Sequence, residues 1–295
     1  MAENDTKEKE DDKTDIVRLI IKVTRDTLPQ VKDKYPFLYL ERGRLEIDDS
    51  SVKWIDSSGD VIRLPIATIN CLLLGPGTSV THEAVKIMAA ANCSVCWVGE
   101  DSLLFYAAGI TPTANTHNFR KQMTLAADKK KSVEVARHFF ARRFPKADLA
   151  GKTLHEMMGM EGYRVREIYE QKAQQYKVGW KGRVYTPGKF EISDVTNQIL
   201  TSMNTALYGL LSSAVHAMGY SPHIGFIHSG SPLPFVYDLA DLYKEELSID
   251  LAFSMTLEMA GVYNKHKVAN GFRKRAIEMD LLGKIGSDID ELLVG

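Results

Sequence analysis

The chain has 295 residues, of which 44% are hydrophobic and 25% are charged, a composition typical of a globular protein with one large or two medium-sized domains. It contains no run of eighteen apolar residues and its N-terminus is charged, so we expect neither a membrane span nor a signal peptide and predict a cytoplasmic protein. The net charge of −1 argues against a DNA partner only if the charges are evenly distributed, and they are not.

Residues 1–15 carry seven acidic residues and three lysines, which predicts a disordered tail. Residues 16–34 begin with an apolar run that fits a short strand or helix, so residues 1–35 are predicted to be a disordered tail and a short extension. The rest of the chain is basic in two places, 117–146 and 162–189, with nine and seven Lys or Arg residues. Both stretches are candidate phosphate-binding surfaces, with Arg142 and Arg143 in the first, although a solvated helix face is the alternative.

Residues 36–108 contain short runs of β-branched and other apolar residues separated by Gly, Pro and Asp-Asp or Ser-Ser-Gly turns. This pattern predicts a β-rich, sandwich-like domain with one helix through HEAVKIMAAAN. Cys93 and Cys96 form a C-x-x-C pair, which could indicate zinc or redox chemistry. No second pair exists, and CSVCWVG has the pattern of a buried strand, so the cysteines are predicted to be structural.

Residues 109–117 lack apolar periodicity and are predicted to be a linker. From residue 118 to 295 the pattern is helical, which makes the fold class α+β with an all-α second domain. The predicted helices are 119–143, 152–158, 162–177, 194–218, 233–246, 248–262 and 264–281, and a β-like interruption lies at 179–190.

A polar turn followed by an apolar helix contains the strongest chemical signal, in residues 219–245. His228 lies in the Gly/Ser/Pro turn, and Asp238 and Asp241 are three residues apart, so they share one face of the predicted helix. Near a helix N-terminus their ionised forms are favoured. Two carboxylates and one imidazole suit Mg²⁺ or Mn²⁺ better than Zn²⁺. The alternative is that both aspartates face solvent.

Three motifs together resemble one known family. The runs GFIHSGSPLPFVYDLADLYK, MEGYRVR and LPIATINCLLLGPGTSVTHEAV are similar to those of the CRISPR-associated Cas1 integrases, in their I-E-like branch, and the resemblance extends from about residue 36 to 281. It implies a metal-dependent DNA integrase and endonuclease that inserts DNA fragments into a CRISPR array by 3′-hydroxyl attack on repeat phosphodiesters. Glu161, His228, Asp238 and Asp241 match its catalytic positions.

The resemblance also implies a homodimer, the small partner subunit Cas2, double-stranded prespacer DNA and repeat DNA. Glu161, His228 and Asp241 are the expected ligands of Mg²⁺ or Mn²⁺, and Asp238 is either a further ligand or the group that orients His228. Two other classes stay open: a catalytically silent DNA-binding scaffold, and a small-molecule metal hydrolase, which would not need the two basic stretches.

Additional side chains are candidates for contact with DNA. Glu161 is placed just before the helix that begins at residue 162, which brings Arg164 and Arg166 close to it, either as surface ion pairs or as phosphate ligands. Tyr185, in the β-like interruption, is a candidate DNA contact. The chain departs from the family at Arg42, where an aromatic wedge can stand, and at Ser79 and Leu104, where arginines can stand. Arg42 either stacks on the duplex end or is only a turn residue.

Overall fold

The computed structural model describes residues 34–35, 38–49, 51–99, 105–109, 116–184 and 190–294. Strands occupy the first part and helices the second, which confirms the α+β fold class. The strands are β1 (Leu38–Leu40), β2 (Gly43–Asp48), β3 (Ser51–Asp56), β4 (Val61–Leu64), β5 (Cys71–Leu74), β6 (Thr78–Val80), β7 (Ser94–Val98) and β8 (Phe105–Gly109).

The strands form two four-stranded sheets, in the orders β1-β5-β7-β8 and β4-β3-β2-β6. In the first sheet β1, β5 and β7 are parallel and β8 is antiparallel to β7. In the second sheet β4, β3 and β2 form an antiparallel meander, and β6 is parallel to β2. Helix α1 (His82–Ala90), which Thr81 caps, packs against the second sheet.

Strand β5 lies in the interior of the first sheet and is buried on both faces, which explains its continuous apolar sequence. Leu72 and Leu74 point into a core shared with Leu45 and Trp54 of the second sheet. On the opposite face Cys96 contacts Ser213 of the helical part, with 3.4 Å between Sγ and Oγ. The three cysteines are buried free thiols, as the strand interpretation predicts.

The helices of the second part surround one long apolar helix, α5. They are α2 (His117–Ala127), α3 (Lys129–Arg143), α4 (Leu154–Gln175), α5 (Val195–Ala217), α6 (Pro234–Tyr243), α7 (Asp250–Glu258), α8 (Lys265–Glu278) and α9 (Leu281–Leu292). A π turn, Lys244–Ile249, joins α6 to α7. In the described residues no helix is long and apolar enough to cross a membrane.

Three helix predictions were wrong in their bounds. The predicted helix 119–143 is divided at Asp128, whose carboxylate caps α3 by accepting from the N–H groups of Lys130 and Lys131. The predicted helices 152–158 and 162–177 are one helix, α4, which starts at a capping box between Thr153 and Glu156. Helix α9 was not predicted.

Candidate active site

Asp238 organises the polar turn from beneath. Its side chain is fully buried, and its Oδ2 accepts hydrogen bonds from the backbone N–H groups of Phe226 and Ile227, at 2.6 and 3.2 Å. Its Oδ1 accepts from the backbone N–H of His228 at 2.9 Å and lies 2.8 Å from the Nδ1 atom of the His228 ring. Asp238 therefore fixes both the turn and the imidazole, and both of its oxygens face protein donors.

His228 is oriented by this contact toward the next carboxylate of α6. The hydrogen bond to Asp238 raises the pKa of His228 above its ordinary value, against the effect of burial. The other ring nitrogen, Nε2, lies 3.7 Å from Oδ2 of Asp241. The i, i+3 spacing places both aspartates on one face of α6, and one of them lies beside each ring nitrogen of His228.

Asp241 is almost completely buried, and two basic side chains approach it. The ammonium group of Lys244 donates to its Oδ1 at 2.7 Å, and a guanidinium nitrogen of Arg143 lies 3.9 Å from its Oδ2. Burial alone would raise the pKa of Asp241, but the charges of Lys244 and Arg143 outweigh it and lower that pKa below the ordinary value. Asp241 is therefore ionised at neutral pH.

Glu161 reaches the site from the middle of α4, not from the start of a helix as the sequence indicated. Its carboxylate is paired with the guanidinium of Arg143, the last residue of α3. The same nitrogen of Arg143 approaches Asp241, so one guanidinium lies between carboxylates of two different helices. Neither Arg164 nor a helix N-terminus supplies this positive charge, which corrects the prediction.

These donors fit a hard divalent cation in kind but not in their present spacing. Two carboxylates and the Nε2 atom of an oriented imidazole are ligands that Mg²⁺ and Mn²⁺ accept. Within the described ranges, however, no three His, Cys, Asp or Glu side chains are close enough to hold one metal ion. In this arrangement Oε1 of Glu161 contacts the guanidinium of Arg143.

The other predicted arginines lie in less direct positions. Arg142 pairs with Asp288 and Glu291 of α9 rather than with Glu161 or Asp241. The guanidinium of Arg164 lies 5.0 Å from the ring centroid of Phe144. Arg166 is exposed, and its Nε donates to the carbonyl of Gly162 in its own helix, at 3.0 Å.

The remaining departures from the family pattern are only partly described. Arg42 is exposed at a turn with a φ of 56°, and its backbone N–H donates to Pro76 at 3.0 Å, so the turn interpretation has a clear conformational basis. Ser79 is exposed in β6. Leu104 and Tyr185 lie outside the described residues.

Two cavities open on either side of His228 and Lys244. The first, of about 600 Å³, is lined by Glu161, Asp241 and Arg143. The second, of about 760 Å³, is lined by Tyr208, Tyr237 and two further histidines. Sequence reasoning missed Lys244, although its place three residues after Asp241 is a signal that could have found it.

Comparisons with known proteins agree on one family. The family model described as CRISPR associated protein Cas1 matches residues 37–150 and 140–261. CRISPR-associated endonuclease Cas1 2 of Chlorobaculum tepidum is 70% identical over 276 residues, which cover 94% of this chain and 93% of that protein. CRISPR-associated endonuclease Cas1 of a Clostridium species is 36% identical over 269 residues, 91% of this chain and 89% of its own.

Solved structures give the same result for the fold. The crystal structure of a TtCas1–DNA complex matches with a TM-score of 0.70 at 35% identity, and the match covers 91% of this chain and 100% of that chain. Since the matched relatives are covered almost completely, the similarity includes the strands, the helices and the polar turn.

Proposed function

This chain belongs to the CRISPR-associated Cas1 family, and we propose on that premise that it is a metal-dependent DNA integrase of CRISPR adaptation. It joins the 3′-hydroxyl of a DNA fragment to a phosphodiester of the repeat, and it acts as an endonuclease when water replaces the hydroxyl. The family relatives are named endonucleases, so the chain is an enzyme. The observation that carries the proposal is the convergence of Glu161, His228 and Asp241, from two helices and one turn, beside Arg143 and Lys244.

The metal would be Mg²⁺ or Mn²⁺, and Glu161, His228 and Asp241 would hold it. When bound, such an ion stabilises charge on a phosphate and lowers the pKa of an attacking hydroxyl. Asp238 is better suited to orient His228 than to bind metal, because both of its oxygens already accept hydrogen bonds from the turn.

The side chains of the chain itself supply positioning and charge. Asp238 holds the Nδ1 side of His228, which leaves Nε2 directed into the site. Lys244 is held by Asp241 and lies 5.1 Å from the ring centroid of Tyr208, so its charge is fixed at the wall between the two cavities. A phosphate that enters either cavity meets this charge.

DNA is the substrate that the basic stretches and the relative crystallised with DNA both support. We extend the proposal to a homodimer that acts with the small subunit Cas2 on double-stranded prespacer and repeat DNA, in the cytoplasm. The competing function is a silent DNA-binding scaffold. A silent scaffold would be expected to lack at least one catalytic residue, whereas Glu161, His228, Asp238 and Asp241 are all present in this sequence.

A strand-transfer assay with the Cas2 subunit, repeat DNA and Mn²⁺ tests the proposal. Glu161→Ala, His228→Ala and Asp241→Ala should each lower the rate of integration by about 100-fold or more, because each removes a group that acts in the transition state. Glu170→Ala, on an exposed position of the same helix α4, is the matched control and should retain the full rate.

Circular dichroism and DNA binding are measured on the same samples, so that a folding defect is separated from a catalytic one. A His228→Ala protein that integrates at the normal rate would refute the site assignment. Integration that persists in all three variants would favour the scaffold function, with another protein in the assay catalysing the reaction.

A further inference from the structure

Arg143 occupies the place that a cation would take between the acids of α4 and α6. Its side chain is only 10% exposed, and a single guanidinium nitrogen contacts Glu161 and approaches Asp241. These carboxylates are themselves only 15% and 10% exposed. Carboxylates at such burial need a nearby cation: Lys244 supplies one to Asp241, at 2.7 Å from its Oδ1, and Arg143 supplies one to Glu161.

The contacts of Arg143 and of a metal ion at this site exclude one another. The Oε1 atom of Glu161 contacts the guanidinium, and within the described ranges no three ligating side chains are close enough to share an ion. A dication placed beside a buried guanidinium would also meet strong repulsion at low dielectric. Entry of a metal therefore requires Arg143 to leave.

Arg143 has a position to which it can move. It is the last residue of α3, so its side chain is not enclosed by a following helical turn. Its guanidinium already lies 5.0 Å from the ring centroid of Phe144, and Arg164 lies at the same distance from that ring. A small swing of Arg143 away from Glu161 can keep the cation–π contact. The freed guanidinium would still line the cavity beside Glu161 and Asp241, where its planar donors match phosphate oxygens.

We propose that Arg143 is an internal counter-cation that closes the acid site before metal binding and is displaced by the metal, so that metal loading frees its guanidinium for a DNA phosphate. This inference rests on the proposed metal-dependent function. It makes Arg143 a positioning residue that couples the two events, and metal affinity and phosphate affinity should then rise together.

Direct titration of the full-length protein with Mn²⁺, by calorimetry or by electron paramagnetic resonance, tests the proposal without an activity assay. Arg143→Gln removes the competing charge and should raise the affinity for Mn²⁺ by about tenfold, a usual size for such a coupling. Arg143→Lys keeps a cation there and should stay within about twofold of the wild type. Arg142→Gln, one residue earlier and paired with α9, is the matched control and should bind Mn²⁺ with the affinity of the wild type.

Thermal unfolding in EDTA gives a second reading. Arg143→Gln should melt at a lower temperature than the wild type in EDTA, because buried Glu161 then loses its ion pair with Arg143, whereas Asp241 keeps Lys244. Saturating Mn²⁺ should raise its melting temperature by more than it raises that of the wild type. An Arg143→Gln protein that binds Mn²⁺ equally well or more weakly than the wild type would overturn the proposal, since Arg143 would then support the metal rather than compete with it.

A measurement on the wild-type protein keeps the test independent of folding in the variant. The Nε–H resonance that Arg143→Lys removes should shift and exchange faster with solvent when Mg²⁺ is added, and an unchanged resonance at saturating Mg²⁺ would also overturn the proposal. Failure of the proposed function looks different. In that case Asp241→Asn would bind Mn²⁺ as the wild type does, or neither the wild type nor Arg143→Gln would bind it.

Discussion

The two halves of the candidate active site are held in contrasting ways. The half built from the polar turn and α6 is fixed by hydrogen bonds, since Asp238 accepts three backbone N–H groups and faces the His228 ring. The half built from the end of α3 and the middle of α4 is held by one ion pair, between Arg143 and Glu161. The hydrogen bonds of the turn need the Asp238 carboxylate at one position, whereas the Arg143 cation beside Glu161 can be replaced by another cation. The first half therefore sets geometry and the second responds to ligands.

The largest effect is expected from substitution in the fixed half. Asp238→Asn removes a buried charge that accepts hydrogen bonds from several N–H groups, and it should lower the free energy of unfolding by about 3 kcal/mol. Glu161→Gln, in the responsive half, should cost about 1 kcal/mol, because Arg143 keeps a contact with Asp241. Urea unfolding followed by circular dichroism measures both values.

Equal losses of unfolding free energy in these two variants would remove the distinction between the halves.

The same two variants also separate the roles of Asp238 and Glu161. Asp238→Asn should lower the pKa of His228, because the hydrogen bond from the imidazole to a full carboxylate is the largest cause of its raised value. Glu161→Gln should leave that pKa unchanged, and NMR titration of the histidine ring protons reports it.

A smaller effect is expected where two adjacent arginines have separate tasks. Arg142 pairs with Asp288, which is 4% exposed and also accepts a hydrogen bond of 2.6 Å from the hydroxyl of Tyr243. Arg142→Gln leaves that carboxylate with one donor and should lower the free energy of unfolding by about 2 kcal/mol. Glu291→Gln removes an exposed partner of the same arginine and should cost less than about 0.5 kcal/mol.

This contrast would disappear if Arg142→Gln were as stable as the wild type, for then α9 would not depend on the pair. Combined with the Mn²⁺ titration it separates the two arginines completely. Arg142→Gln should lower stability and leave the affinity for Mn²⁺ unchanged. Arg143→Gln should raise the affinity for Mn²⁺, and its loss of stability should be reduced when Mn²⁺ is bound.

What the sequence could predict was what depends on local spacing. The shared face of Asp238 and Asp241 follows from the helical repeat, and the buried strand of Cys96 follows from its apolar run. The strands-then-helices order is also a local property, and so the fold class was confirmed. Glu161 came from the resemblance to a family, because no spacing rule connects a residue of α4 with a turn more than sixty residues later.

What the sequence could not predict depends on packing between distant elements. Arg143 and Arg142 look alike in a basic stretch, but their partners lie on α4 and α9. The bounds of α4 were misplaced because Gly159 and Gly162 resemble a helix break, and Gly283 and Gly286 hid α9 in the same way. In each case a glycine within the helix destabilises it by about 1 kcal/mol, which is less than the stabilisation that packing or capping of the helix provides.

The smallest expected effect is on duplex binding, and it concerns basic residues of α3 that are not paired with the acid site or with α9. Arg142 and Arg143 are paired with carboxylates. If the basic stretch forms an open phosphate-binding surface, other cations of the stretch must therefore contact the phosphates. Lys130 and Lys131 are exposed near the start of α3, the helix that ends at Arg143. Fifteen residues of helix span about 22 Å, so a duplex that leaves the site along α3 can pass both ends.

Neutralising Lys130 and Lys131 together to Gln should therefore weaken duplex binding and lower the slope of log K against log salt by about 0.9 for each DNA phosphate that these lysines neutralise in the wild type. Lys267 and Lys274 are equally exposed but lie on α8, and the matched double variant Lys267→Gln with Lys274→Gln should leave the slope unchanged. Fluorescence anisotropy with one duplex at several salt concentrations measures both. If the α8 pair lowers the slope and the α3 pair does not, DNA follows a different face of the helical part. The ion pairs of Arg142 and Arg143 would then lie away from its path, and Arg143 could not receive a phosphate on leaving the acid site.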